Sequence, residues 1–213
     1  LRGVTVEVLE SGECEDTGGG TGGGDCLLDH DPNAWDIRWG EWDFGSFALS
    51  ETTGHGMAFY KLKKIESMTA IPPDPPTFKG YIELHSSDAI ASLMFYTDAG
   101  DWDFSIEIFG PDAPLETPIT AELCPPSGTG SCVSTNAPLP SGRIPVSLTV
   151  HGDGKISATV GDITLDATYS GTPQGDWRLA IRTRSGDGAT FSDLELVTNE
   201  CRGEREVWLI REH

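Results

Sequence analysis

No stretch of this 213-residue chain is apolar for long enough to span a bilayer, and none carries a convincing helical period. Basic residues are scarce. Fourteen Lys and Arg stand against 34 Asp and Glu, a formal net charge of −20. Such a field repels a phosphate backbone and anionic lipid, which argues against nucleic acid and membrane insertion as partners. Catalytic signatures are missing too. There is no Gly-x-Ser-x-Gly elbow, and His30, His55, His85, His151 and His213 fall in unrelated turns and strand ends without metal-ligand spacing. The glycine-rich run 17–24 lacks the Lys-Ser/Thr ending of a nucleotide loop. One basic cluster, Lys61, Lys63 and Lys64, alternates around Leu62 and reads as a strand coat that discourages edge pairing.

Turn chemistry is abundant instead, with 26 Gly and 14 Pro. A hydrophobic content of 37% is too high for a disordered chain, and the length suits one large all-β domain with a real core. Residues 143–197 are the most informative. Apolar and polar residues alternate there, and the runs are separated by the tight-turn dipeptides Asp153-Gly154 and Gly161-Asp162. The pattern predicts an antiparallel meander with one buried face.

The order of the meander carries a resemblance. Val-Gly-Asp at 160–162 ends an alternating strand, Leu-Ala-Ile-Arg-Thr follows at 179–183, and Ala-Thr-Phe-Ser-Asp-Leu-Glu-Leu closes at 189–196. This series resembles the C-terminal half of concanavalin A-like and laminin-G-like jelly rolls, most strongly over 143–197 and more loosely from residue 34. The resemblance implies an all-β, antiparallel two-sheet jelly-roll sandwich. That fold hosts lectins, glycosidases and structural modules, so function has to come from sites.

Val4, Val6 and Val8 alternate with Thr5, Glu7 and Leu9, so the chain opens on a strand, and a Gly-rich linker follows it. Candidate strands then cover 35–39, 42–49, 57–65, 78–85, 90–97, 102–109 and 119–123, ahead of the meander. A last strand covers 207–211. Three regions result: a strand and linker over 1–30, the sandwich over 31–200, and a C-terminal strand or tail over 201–213. A tethered strand can fold back on its own sheet or complete the sheet edge of another copy. Val4, Val6, Val8 and Cys201 are therefore candidate assembly residues.

Five cysteines point to an oxidising, extracellular setting. Cys14 and Cys26 bracket the Gly-rich loop, and Cys124 and Cys132 bracket Pro-Pro-Ser-Gly-Thr-Gly-Ser. Local pairing constrains both loops and leaves Cys201 over. The rival pairing joins Cys201 to Cys14 or Cys26. Neither spacing is that of zinc ligands.

Three groups of residues bear chemistry. Asp101, Asp103 and Glu107 share one face of a strand, with Trp102, Phe104, Ile106 and Ile108 on the other. Jelly-roll glucanases have a similar acidic strand of the Glu-x-Asp-x-Glu type. Here the first acid is Asp and the last stands one or two residues too far along, so a solvated strand face competes with a retaining carboxylate pair. Asp29, Asp31, Asn33 and Asp36 offer oxygens at the spacing that begins a calcium loop. Ala34 replaces the required glycine, Gly40 stands where the bidentate Glu belongs, and Glu41 comes one step late, which excludes an EF-hand. A looser calcium site and a polar turn both remain open. Among the tryptophans, Trp35, Ile37 and Trp39 share a strand face and read as core. Trp42, Trp39 and Trp102 are the candidate sugar platform, with Trp42 the exposed member.

The expectation is an extracellular, non-enzymatic sandwich of a cell surface or matrix. It would bind glycan or mediate adhesion, with calcium as the one cofactor in view. The alternatives are a filament subunit that donates its N-terminal strand to other copies of itself, and an atypical glycoside hydrolase.

Overall fold

The computed structural model describes residues 27–46, 48–61, 75–97, 103–115, 120–171 and 177–197, together with the backbone of residues 5–8 and 208–211. Two seven-stranded antiparallel sheets make the sandwich. The first runs, in spatial order, β10 (Val133–Thr135), β9 (Ala121–Cys124), β8 (Asp103–Phe109), β7 (Ile90–Thr97), β14 (Trp177–Ser185), β5 (Gly56–Tyr60) and β2 (Trp35–Trp39). The second runs β13 (Ile163–Thr168), β12 (Lys155–Val160), β11 (Ile144–Val150), β6 (Thr77–Leu84), β15 (Ala189–Val197), β4 (Ala48–Glu51) and β3 (Trp42–Phe44). The fold is the all-β jelly-roll sandwich that the meander implies.

Alternation places the core between the sheets. Ile144, Val146, Leu148 and Val150 of β11 face Leu93, Phe95, Phe104 and Ile106 of the first sheet in one continuous cluster. At its centre Trp177 stacks on Phe104, 5.0 Å between ring centroids, and meets Phe95 edge-on at 6.0 Å. Each such side chain contributes on the order of 2 kcal/mol by leaving water. The closing strand β15 pairs with β6 through a bulge between Ser192 and Glu195. Within that bulge Asp193 takes φ +48°, the left-handed region.

Several expectations change in detail. The run 42–49 is two strands, because Gly45 N donates to Ala48 O at 2.9 Å and turns β3 back onto β4. The short strand β10, after the Pro-Gly loop, has no pattern long enough to read. The N-terminal strand β1 (Thr5–Val8) joins neither large sheet. It pairs antiparallel with β16 (Trp208–Arg211) in a two-stranded sheet of their own, Val6 opposite Ile210 and Val8 opposite Trp208. Val4 and Cys201 lie outside the described residues.

The two sheets treat their outer faces differently. Strands β11 and β12 alternate between buried and more exposed residues, as a half-solvated sheet does. Strands β5, β7 and β8 are buried on both faces. Met57, Phe59, Met94 and Ala180, with Tyr96 against them, form a second apolar cluster on the outer face of the first sheet.

Candidate functional site

Cross-strand register on that outer face builds a single row. Trp39 stands opposite Met57, Met57 opposite Arg182, Arg182 opposite Ser92, Ser92 opposite Glu107, Glu107 opposite Glu122, and Glu122 opposite Ser134. Directly opposed residues of antiparallel strands project to the same side, so all seven share the face. The expected solvated strand face is not what this sequence builds. Glu107 is 4% exposed, and the reason is its partners. Its Oε1 accepts from Arg182 Nη2 at 2.5 Å and its Oε2 accepts from Arg184 Nη2. Phe104, Ile106 and Ile108 point the other way and are fully buried in the core.

Two buried polar atoms in the middle of the row, Ser92 Oγ and Arg182 Nε, have no partner among the described residues. Glu122 is the functional candidate that sequence reasoning missed. Burial, and then the Glu107 charge opposite, push its carboxyl above the ordinary value, while Arg184 pulls the other way. No spacing along the chain reveals this pair, because the two acids meet only through the β8–β9 register. Chemically, the row presents a carboxyl acceptor held by two guanidinium groups, a second carboxyl raised above its ordinary value, and an aromatic plate at the β2 edge.

Trp39 is that plate, 50% exposed. The shared core face expected for Trp35, Ile37 and Trp39 breaks at a bulge between Ile37 and Trp39, which sets Trp39 opposite the outward Met57 rather than the inward Gly56. Trp35 alone of the three is buried, edge-on to Tyr60 at 5.1 Å. Trp42 is half-buried, its ring tilted against Phe191 at 6.0 Å and its Nε1 donating to Trp39 O. Asp103 sits two residues before Ser105 on the same outward side, opposite Tyr96. Asp101 and Trp102 lie outside the described residues.

The acids of the loop 29–36 turn inward on their own backbone. Asp29 Oδ1 accepts from Asp31 N, and Asp31 Oδ1 accepts from Asn33 N and Nδ2, capping the short 3-10 turn Pro32–Ala34. Asp36 pairs with Arg38 at 3.1 Å. Among the described residues, Glu122, Cys124 and Cys132 form a group of potential metal ligands whose donor atoms converge. Its two sulfurs are already joined as the Cys124–Cys132 disulfide. Cys14 and Cys26 lie outside the described residues.

No family model matches the sequence. No curated protein matches it either. Solved structures do. The carbohydrate binding module CBM66 from Bacillus subtilis superposes with a TM-score of 0.53 at 12% identity, covering 81% of this chain and 97% of that one. A Bacillus subtilis protein described as having a galectin-like fold gives 0.56 at 11%, over 81% and 93%. The beta-glucanase of Bacillus licheniformis gives 0.53 at 8%, over 82% and 96%. At such identities the likeness concerns architecture, and by architecture this chain is a galectin-like, concanavalin A-like jelly-roll sandwich.

Proposed function

We propose that the chain is an extracellular, non-enzymatic glycan-binding module, and that it holds its ligand on the outer face of the first sheet. The observation that carries this is the register itself. It aligns an exposed tryptophan with the Arg182–Glu107–Arg184 ion triad and with Glu122. An aromatic plate suits the C–H face of a sugar ring, and planar charged groups serve its hydroxyls with directional hydrogen bonds. The carbohydrate-binding names among the similar structures support the same reading.

Hydrolysis is the less favoured use. Asp103 and Glu107 are four residues apart along β8, about 13 Å at the rise of a strand, whereas paired glycosidase carboxylates lie about 5 to 9.5 Å apart. Both Glu107 oxygens also accept from guanidinium groups. The same proposal assigns calcium, as a helper, to Asp29, Asp31, Asn33 and Asp36. A glycan screen with and without calcium, run beside Trp39→Ala, tests the reading. Binding that is lost in the variant at unchanged stability supports it, and no binding to any glycan rejects it.

A second reading has its own observation. β1 pairs with β16 and with neither large sheet, so the same pair formed between copies would link them into a filament. Microscopy of the chain with and without residues 1–9 tests this: filaments that need the strand establish assembly, and single particles in both samples dismiss it.

A further inference from the structure

We infer that this face takes an uncharged glycan and excludes anionic ones such as polyuronates and sulfated polysaccharides. The inference rests on the glycan-binding reading and adds the ligand's charge to it. Arginines on a sugar-binding face would ordinarily invite a carboxylate or a sulfate, because guanidinium matches such groups bidentately. Here one protein carboxylate already holds both guanidinium groups. Arg182 and Arg184 both donate to Glu107, whose carboxylate is nearly sealed from water. An incoming anion has to displace a charge held by two partners, and the displaced Glu107 would then be left buried and unpaired.

The neighbours strengthen the barrier. Glu122 stands directly opposite Glu107, so a ligand carboxylate placed over the triad meets two protein carboxylates at once. Within the strands of the described outer face the charges balance: Arg38, Arg178, Arg182 and Arg184 against Asp36, Asp103, Glu107 and Glu122. No net positive field remains there to draw in a polyanion, while the whole chain at −20 repels one from a distance.

Hydroxyls are served well by what is left. A sugar hydroxyl donates and accepts together. Arg184, with a side chain 45% exposed, retains donors, Glu122 accepts or donates according to its protonation, and the exposed Ser134 does both.

The test pairs each neutral polysaccharide, such as a glucan or a galactan, with its carboxylated or sulfated counterpart. Affinities are measured at low and at physiological salt. Neutral ligands are expected to bind about tenfold or more tightly than their anionic counterparts, with little salt dependence. Glu122→Gln is expected to narrow that ratio several-fold. Tighter, salt-sensitive binding of an anionic glycan overturns the inference and leaves glycan binding standing. A ratio unchanged in Glu122→Gln overturns the assignment of the exclusion to this face. Binding of no glycan at all rejects both the inference and the reading beneath it.

Discussion

Ser92 occupies the sheet position that the Arg182 side chain must cross to reach Glu107. The three residues are opposed in register on β14, β7 and β8. Two strand spacings, about 10 Å, separate the outer strands. The arginine therefore lies flat across β7, and a small residue beneath it is what allows the crossing. Ser92 is accordingly 1% exposed although it faces away from the core.

Substitution at this position separates size from polarity. Ser92→Ala removes an oxygen that has no partner among the described residues and is expected to change stability by less than about 0.5 kcal/mol. Ser92→Leu props the guanidinium off Glu107 and is expected to cost about 1–3 kcal/mol. Thermal denaturation of both variants gives the comparison, and equal losses would remove the crossing as an explanation.

Trp39 and Trp42 are expected to part company in the same way. Trp39→Ala touches an exposed ring and should leave stability within about 0.5 kcal/mol while weakening glycan binding about tenfold. Trp42→Ala removes a ring packed on Phe191 and should cost about 2–3 kcal/mol, with binding affected only through loss of folded protein. Titration and melting curves on both variants decide it.

Glu51 ties acid sensitivity to one residue. It is fully buried, and its carboxylate accepts from Thr183 Oγ1 at 2.7 Å, from Thr53 N at 2.9 Å and from Thr53 Oγ1. Burial alone pushes its carboxyl up, but the hydrogen bonds from Thr53, Thr183 and Gly54 outweigh that and hold it below the ordinary 4.5. A depressed folded-state value contributes stability above the unfolded-state value, and that contribution is lost as pH falls through the folded one. Glu51→Gln is expected to cost about 2–3 kcal/mol at neutral pH. The gap from the parent chain should shrink below pH 4.5, which denaturant melts across the acid range measure directly.

The Cys124–Cys132 disulfide closes a short loop, the two residues being eight apart. Replacing both by serine is expected to lower stability by about 2.5 kcal/mol through the freed unfolded chain. Denaturation of the double variant against the oxidised parent measures it, and an equal loss in the parent under reductant would confirm the source.

Asp31 carries a prediction that distinguishes a cap from a calcium ligand. As the cap of Pro32–Ala34 it holds Asn33 N. Asp31→Ala is therefore expected to cost about 1 kcal/mol whether or not calcium is present. A calcium-induced rise in melting temperature that disappears in the variant would instead establish the metal site.

The fold was legible where alternation is strict. Residues 144–168 read as an outward-polar meander because β11, β12 and β13 have one wet face, and the Asp-Gly and Gly-Asp pairs mark its turns. The first sheet was harder to read for function. β7 and β8 are buried on both faces, so the chemistry of Glu107 is set by arginines about 75 residues away. Of the two readings open for Trp39, core and platform, the core one fails for a local reason: period-two reasoning assumes an unbroken strand, and a bulge of one residue turns a core position into a surface one. Glu122 gave no signal at all, since its meaning depends wholly on the strand beside it.

Thr183 belongs to the first sheet and Glu51 to the second, so their hydrogen bond is also a mechanical pin between the layers. Packed apolar faces alone resist slippage weakly, because one methyl group replaces another as the layers shear. A slide of one residue, about 3.3 Å, would strip this carboxylate of its Thr183 donor in a place water does not reach. The sandwich is thus locked against sliding at the end where β4 meets β14, and loads applied along the strands should unfold the layers separately before displacing them intact.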